Sequence, residues 1–168
     1  MPELFYNNAT ETDLSIIVSI YNQTIPGRMV TADMEPVTAQ SRLLWLQKHS
    51  PEKRPLYVVK NEDNTIVGWV SLQDFYGRPA YAATAEISIY LDAAQHGKGY
   101  GKQILLDSIT KGPLLGIKNL VGFIFAHNTP SINLFRSCGF EDWGLLPNVA
   151  ELDGVERSLK IVGRRISK

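Results

Sequence analysis

The run Gln95-His96-Gly97-Lys98-Gly99-Tyr100-Gly101-Lys102-Gln103-Ile104-Leu105-Leu106 sets three glycines at alternate positions and then passes straight into an apolar helical pattern. A glycine inside a helix costs about 1 kcal/mol relative to alanine, so the cluster needs a reason. The stretch before it, Ala85 to Leu91 (AEISIYL), is rich in β-forming residues, and it reads as a strand followed by a short link. Tyr100, Ile104, Leu105 and Ile109 then mark one face of a helix running to about Lys111. A glycine-rich turn between strand and helix exposes backbone N–H groups at the positive end of the helix dipole. That arrangement favours a phosphate or pyrophosphate, and bulky side chains would block its approach. His96, Lys98 and Lys102 add positive charge around the same place. A tight turn that needs positive φ is the plainer reading; the density of glycines before a lysine-bearing helix favours the anion site.

Two familiar phosphate loops do not fit. A Walker A loop requires Gly-x-x-x-x-Gly-Lys-Ser/Thr, but Gly101-Lys102 is followed by Gln103 and the earlier position is His96. A dinucleotide fingerprint counted from Gly97 ends on Lys102 rather than glycine, and the strand Asn119 to Phe125 offers no acidic residue for a ribose.

The rest of the chain supplies a mixed α/β pattern. Thr12 reads as a helix cap before Leu14, Ile17, Val18 and Tyr21, and Thr38 as the cap of a second helix containing Leu43 to Leu46. LYVVK and TIVGWVSLQDF read as strands joined by the polar turn Asn61 to Asn64. NLVGFIF is a further strand; Thr129 and Pro130 are expected at N-cap and N1 of a short helix that Gly139 ends. NVAEL and ERSLKIVGRRI flank Asp153-Gly154, a hairpin signal. The expectation is one domain over residues 1–168: an α/β fold with a mixed, mostly antiparallel central sheet flanked by helices.

Composition narrows the function classes. Seventeen basic and seventeen acidic residues cancel, which argues against nucleic acid or an anionic membrane as the main partner. Cys138 is the only cysteine, so neither a disulfide framework nor a cysteine zinc site is expected, and His49 and His127 make no metal spacing. The N-terminal segment lacks signal-peptide character, and no apolar run reaches the ~20 residues of a membrane span. A cytoplasmic setting follows as the default expectation.

The segment His96-Gly97-Lys98-Gly99-Tyr100-Gly101 resembles the acyl-CoA loop of the GNAT superfamily of N-acetyltransferases, Gln/Arg-x-x-Gly-x-Gly/Ala. Asn128 to Phe140, NTPSINLFRSCGF, resembles the family's second signature, Asn-x-x-Ser/Ala-Ile-x-Leu-Tyr-x-x-x-Gly-Phe, in the right order and separation. FYGRPAYAATAEISIYL is similar to the phosphinothricin and methionine sulfoximine acetyltransferase branch. The resemblance implies acetyl-CoA as co-substrate without a metal. The backbone of Ile89, Tyr90 and Leu91 would pair with the pantetheine arm. The loop from His96 through Lys102 would cradle its phosphates, with Asn128, Ser131 and Phe135 also on the cofactor. Two departures stand out: His96 replaces the usual Gln or Arg, and Phe135 occupies a position where relatives carry a tyrosine. A phenylalanine cannot protonate a leaving thiolate, so the thiolate is expected to leave unaided.

An amine attacks a thioester only when unprotonated, and Glu86 is the candidate base, directly or through a water. Strand context alone leaves a solvated glutamate equally open; the family position favours the base. Arg78 in Phe75-Tyr76-Gly77-Arg78-Pro79-Ala80-Tyr81 is the candidate holder of an acceptor carboxylate, with Phe75 and Tyr81 as walls. Asn128 serves equally well as a helix cap. Trp45, Trp69 and Trp143 read as core or dimer-contact residues, and Cys138 as apolar filler. The expected activity is acetyl transfer to a small amino-acid-like amine, in a homodimer. The alternatives are a protein N-terminal or lysine acetyltransferase and a non-catalytic acyl-CoA sensor.

Overall fold

A computed structural model describes residues 1–168 and gathers every strand into one seven-stranded sheet. In chain order the elements are β1 (Phe5–Asn8), α1 (Leu14–Asn22), α2 (Leu43–Gln47), β2 (Leu56–Lys60), β3 (Ile66–Asp74) and β4 (Thr84–Leu91). They continue with α3 (Tyr100–Lys111), β5 (Asn119–Phe125), α4 (Thr129–Ser137), β6 (Glu141–Leu152) and β7 (Val155–Arg165). The sheet order is β1-β2-β3-β4-β5-β7-β6, and only β4 and β5 run parallel. This is the mixed, mostly antiparallel sheet flanked by helices that the sequence pattern implies.

Strand alternation divides the residues between two faces. Ala85 and Ile87 of β4 join Leu72, Leu120, Ile104, Leu105 and Phe135 in the larger core, beneath α3 and α4. On the opposite face, Ile17 and Ile20 of α1 pack on Leu56, Val58 and Trp69. Glu86, Ser88 and Tyr90 share that second face with their antiparallel partners Gln73, Ser71 and Trp69. One strand therefore supplies apolar residues to one core and a polar row to the other side.

Several boundaries differ from the sequence expectation. The first helix is initiated at Thr10 rather than Thr12: Thr10 and Asp13 form a reciprocal capping box around a short 3₁₀ turn ahead of α1. Thr38 does cap, its hydroxyl accepting from the Ser41 N–H at 3.1 Å. At α4 the cap is Asn128, whose side chain accepts from Ser131 N–H at 3.3 Å, which moves Thr129 and Pro130 inside the first turn. β6 starts at Glu141, well before Asn148, because its register shifts between Asp142/Gly144 and Leu146/Ala150 interrupt the alternation that would reveal it. Phe5–Asn8, too short to carry a pattern, pairs antiparallel with β2 as an edge strand. The Asp153-Gly154 hairpin is as expected, with φ of 52° and 79°.

Candidate active site

β4 and β5 pair only through Thr84↔Asn119, Ala85↔Leu120 and Glu86↔Val121, and then diverge. Past that point the β5-facing edge of β4 and the facing edge of β5 leave backbone N–H and C=O groups free for a ligand. Between the diverging strands opens a cleft of about 420 Å³. Ile87 to Leu91 form one wall and Gly122 to Ile124 the other, and Gly101 of α3 and Pro130, Ser131, Leu134 and Phe135 of α4 also line it. Of the residues singled out in the sequence, Ile89, Tyr90, Leu91, His96, Gly97, Gly101, Asn128, Ser131 and Phe135 line this cleft.

The glycine turn is built for exposed backbone. Gly97 and Gly99 have φ of 77° and 83°, the left-handed region, and a Cβ at either would meet nothing within 4 Å. Their glycine character thus meets a conformational demand while leaving the approach open. Gly99 is the N-cap of α3, so the first-turn amides have no intrahelical partner. Gly101 is helical and its space, not its φ, is distinctive: a Cβ would touch Leu134 and Leu91 at 3.5 Å. His96 is tied back to the strand end through Leu91 O at 3.3 Å. Lys98 and Lys102 are exposed, with Lys98 donating to Gln95, whereas the Tyr100 ring is buried in the core. Lys98, Gly99, Tyr100 and Lys102 do not line the cleft.

Asn128 serves two segments at once. Its oxygen caps α4 and its amide donates to Met29 O at 3.1 Å, tying the loop after α1 to the cleft. The Phe135 ring is buried beside Phe140 in an edge-to-face contact.

A second pocket, of about 150 Å³, lies on the α1 face of the sheet. Trp69, Ser71 and Gln73 of β3 and Ser88 and Tyr90 of β4 form its floor, under Tyr21, Arg42 and Trp45. Trp69 stacks on Tyr90 with centroids 4.6 Å apart, and Trp45 meets Trp69 edge-on at 5.4 Å. Ser88 and Tyr90 line both this pocket and the cleft, so the two cavities meet at these residues. Arg42 sits over the Tyr21 ring and pairs with Asp33 at 2.9 Å. Burial pushes the Tyr90 hydroxyl well above the usual phenol range, so it stays protonated.

Glu86 stands on this same sheet face, two residues along β4 from Ser88, roughly 7 Å of strand rise, with Gln73 as its cross-strand partner. It lines neither cavity. Burial alone raises its pKa above the ordinary carboxylate value, with no cation opposing the shift. Phe75, Arg78 and Tyr81 lie on the loop between β3 and β4, also outside both cavities. Phe75 stacks on Phe123 of the cleft wall at 6.2 Å and contacts Tyr81 at 5.9 Å, while Arg78 is exposed and unpaired.

Sequence reasoning did not place Tyr21, Arg42, Trp45 or Trp69 around a pocket. Trp69 is buried, donating its indole N–H to Ile17 O at 3.0 Å, and is a pocket wall as well. Trp143 is exposed on β6. No local signal marks these residues, which come from α1, the 3₁₀ turn Gln40–Arg42, α2 and β3; only their shared sheet face joins them. His127 binds Arg28 O at 3.0 Å and Cys138 is buried. No three His, Cys, Asp or Glu side chains gather as a metal site would require.

A split parallel pair with a glycine turn at one end is matched by known proteins. The profile of the Acetyltransferase (GNAT) family fits residues 18–140. The chain belongs to the GNAT acetyltransferase family. YwnH of Bacillus subtilis (strain 168) is 51% identical over 159 residues, covering 95% of this chain and 97% of that protein. The L-methionine sulfoximine/L-methionine sulfone acetyltransferase of Pseudomonas aeruginosa is 29% identical over 147 residues, 88% of this chain and 86% of that one. The crystal structure of a GNAT superfamily phosphinothricin acetyltransferase from Sinorhizobium meliloti, in complex with AcCoA, superposes with a TM-score of 0.87. It is 26% identical and spans 96% of this chain and 88% of its own. As a GNAT acetyltransferase the chain is an N-acetyltransferase by family, with the fold its sequence motifs imply.

Proposed function

We propose that this chain transfers the acetyl group of acetyl-CoA to the primary amine of a small amino-acid-like acceptor of the phosphinothricin or methionine sulfoximine type. The carrying observation is the junction at Ser88 and Tyr90, where a long open cleft meets a small aromatic pocket. An extended thioester arm suits the cleft between β4 and β5, whose free backbone edges match its amides. The unpaired amides of α3 and the turn around Gly97 and Gly99 suit its phosphates.

The unprotonated amine attacks the thioester carbonyl carbon, the C–N bond forms and the C–S bond breaks. Free N–H groups on β4 beyond Glu86 stabilise the developing oxyanion. Glu86, with its raised pKa, receives the amine proton through a water spanning the distance from the junction. Phe135 has no proton to give, and a thiol of pKa near the ~8.5 of cysteine leaves as thiolate close to neutral pH. Arg78 and its aromatic neighbours hold the acceptor carboxylate from the loop beside Phe123. The whole chain, residues 1–168, acts as one N-acetyltransferase domain in the cytoplasm. The exposed apolar row Trp143, Leu145, Leu146 and Val149 on edge strand β6 favours a homodimer, which sedimentation velocity tests.

The direct test is thiol release from acetyl-CoA across small amino acids, their analogues and a peptide N-terminus, with intact protein and Glu86→Gln. Turnover of an amino-acid analogue that is largely lost in the variant at neutral pH supports the reading. Turnover with peptide alone makes the chain a protein acetyltransferase. Acetyl-CoA binding without any turnover makes it a sensor.

A further inference from the structure

The small pocket carries a polar group whose direction is fixed from behind. His49 lies outside the pocket with Nδ1 2.9 Å from the Trp45 carbonyl oxygen and Nε2 2.6 Å from Ser71 Oγ. A carbonyl only accepts, so Nδ1 carries the ring hydrogen. Burial lowers the imidazole pKa and favours the neutral ring, which leaves Nε2 with a lone pair alone. Ser71 must therefore donate its single hydroxyl proton to His49, and it turns only lone pairs toward the pocket it lines.

Of the other polar groups there, Gln73 and Ser88 can donate or accept, the Trp45 indole N–H only donates, and the donor-only Arg42 guanidinium is engaged with Asp33 and the Tyr21 ring. Tyr21 gives its own hydroxyl proton to Asp33. An engineered apolar cavity of about 150 Å³ holds benzene, so a space of similar size admits a side chain of several heavy atoms alongside the Trp45 and Trp69 rings. Resting on the acceptor reading above, we propose that this pocket receives the acceptor's side chain. Ser71, locked as an acceptor by His49, selects side chains that end in an N–H or O–H donor.

Methionine sulfoximine and methionine sulfone make a matched pair, differing at sulfur by one =N–H in place of one =O. The sulfoximine N–H meets the Ser71 lone pair; the sulfone oxygen faces it with no proton between. A buried acceptor left unmatched in this way should favour the sulfoximine by about tenfold or more.

The test uses Trp143→Phe protein, so that fluorescence reports only Trp45 and Trp69, both in the pocket wall. L-methionine sulfoximine and L-methionine sulfone are titrated separately, in this background and with Ser71→Ala or Ser71→Thr added. Tenfold tighter sulfoximine binding that collapses to within twofold in Ser71→Ala and persists in Ser71→Thr supports the proposal. Equal affinities, a preference that survives Ser71→Ala, or no fluorescence response to either compound overturns it. If Ser71→Ala does not fold, loss of the preference in His49→Phe, which frees the Ser71 proton, replaces that arm, and its survival counts against the proposal. Thiol release measured alongside separates the two levels. Transfer to these acceptors with silent tryptophans refutes the pocket assignment and keeps the acetyltransferase reading. Selective binding without transfer does the reverse.

Discussion

The indole of Trp69 and the phenol ring of Tyr90 lie nearly parallel, 16° apart with centroids separated by 4.6 Å, as cross-strand neighbours on β3 and β4. Tyr90 also lines the large cleft, so this stack stands where the two cavities meet. Trp69→Ala removes a buried ring whose N–H holds Ile17 O. Such truncations cost about 3–5 kcal/mol, visible in urea unfolding. Trp69→Phe keeps most of the packing and should raise KM for the acceptor severalfold while leaving KM for acetyl-CoA within twofold.

Glu86 offers a pH test on both stability and rate. Burial raises its folded pKa above the ordinary value of 4.5, so the folded chain binds the proton more tightly than the unfolded chain does. The resulting penalty is absent below about pH 4.5 and grows as pH rises through the folded pKa. Glu86→Gln should therefore melt higher than the parent at pH 7, with the difference vanishing near pH 4. In the parent, kcat/KM should fall as pH drops through the same raised pKa, and this limb should disappear in the variant.

Two of the loop glycines, Gly99 and Gly101, are expected to behave differently. Ala at Gly99, φ 83°, forces a left-handed non-glycine residue and costs about 1–2 kcal/mol. Ala at Gly101 is in helix with ordinary contacts at 3.5 Å, and helix propensity favours it by up to about 1 kcal/mol. Thermal unfolding should therefore separate them in sign, while both raise KM for acetyl-CoA, the first by shifting the turn and the second by a methyl on the cleft wall.

Arg54 braces the loop that carries Arg78. Its guanidinium is 2.8 Å from Asp74 at the loop's start and donates to Ala82 O near its end at 2.6 Å. Arg54→Met should loosen that loop, raising KM for the acceptor about tenfold if Arg78 grips its carboxylate. Acetyl-CoA binding, measured by calorimetry, should change little.

Legibility in the sequence followed the range of the interaction. LYVVK and NLVGFIF are short apolar runs between turn residues, and their strands have the bounds their patterns give. Phe5–Asn8 becomes a strand only because β2 lies beside it, and β6 hides behind two irregularities. The same holds at the site. Many of the cleft residues sit in two contiguous motifs, His96 to Gly101 and Asn128 to Phe135, with Ile87 to Leu91 on the strand just before the first. The small pocket draws Tyr21, Arg42, Trp45, Trp69 and Tyr90 from five elements, and its aromatic side chains are indistinguishable in the sequence from ordinary core residues. The polarity of Ser71 depends on a histidine 22 positions away.

The divergence of β4 from β5 after a mere three paired positions means that this sheet is one member short across its middle. A slender donor lying in the gap would act as the missing member, tying together the two halves that the strands leave separated. Occupancy and cohesion of the fold are then one equilibrium: saturating acetyl-CoA should raise the melting temperature in step with the logarithm of its concentration. It should also slow amide exchange most along Ile87 to Leu91 and Gly122 to Phe125, on either side of the seam.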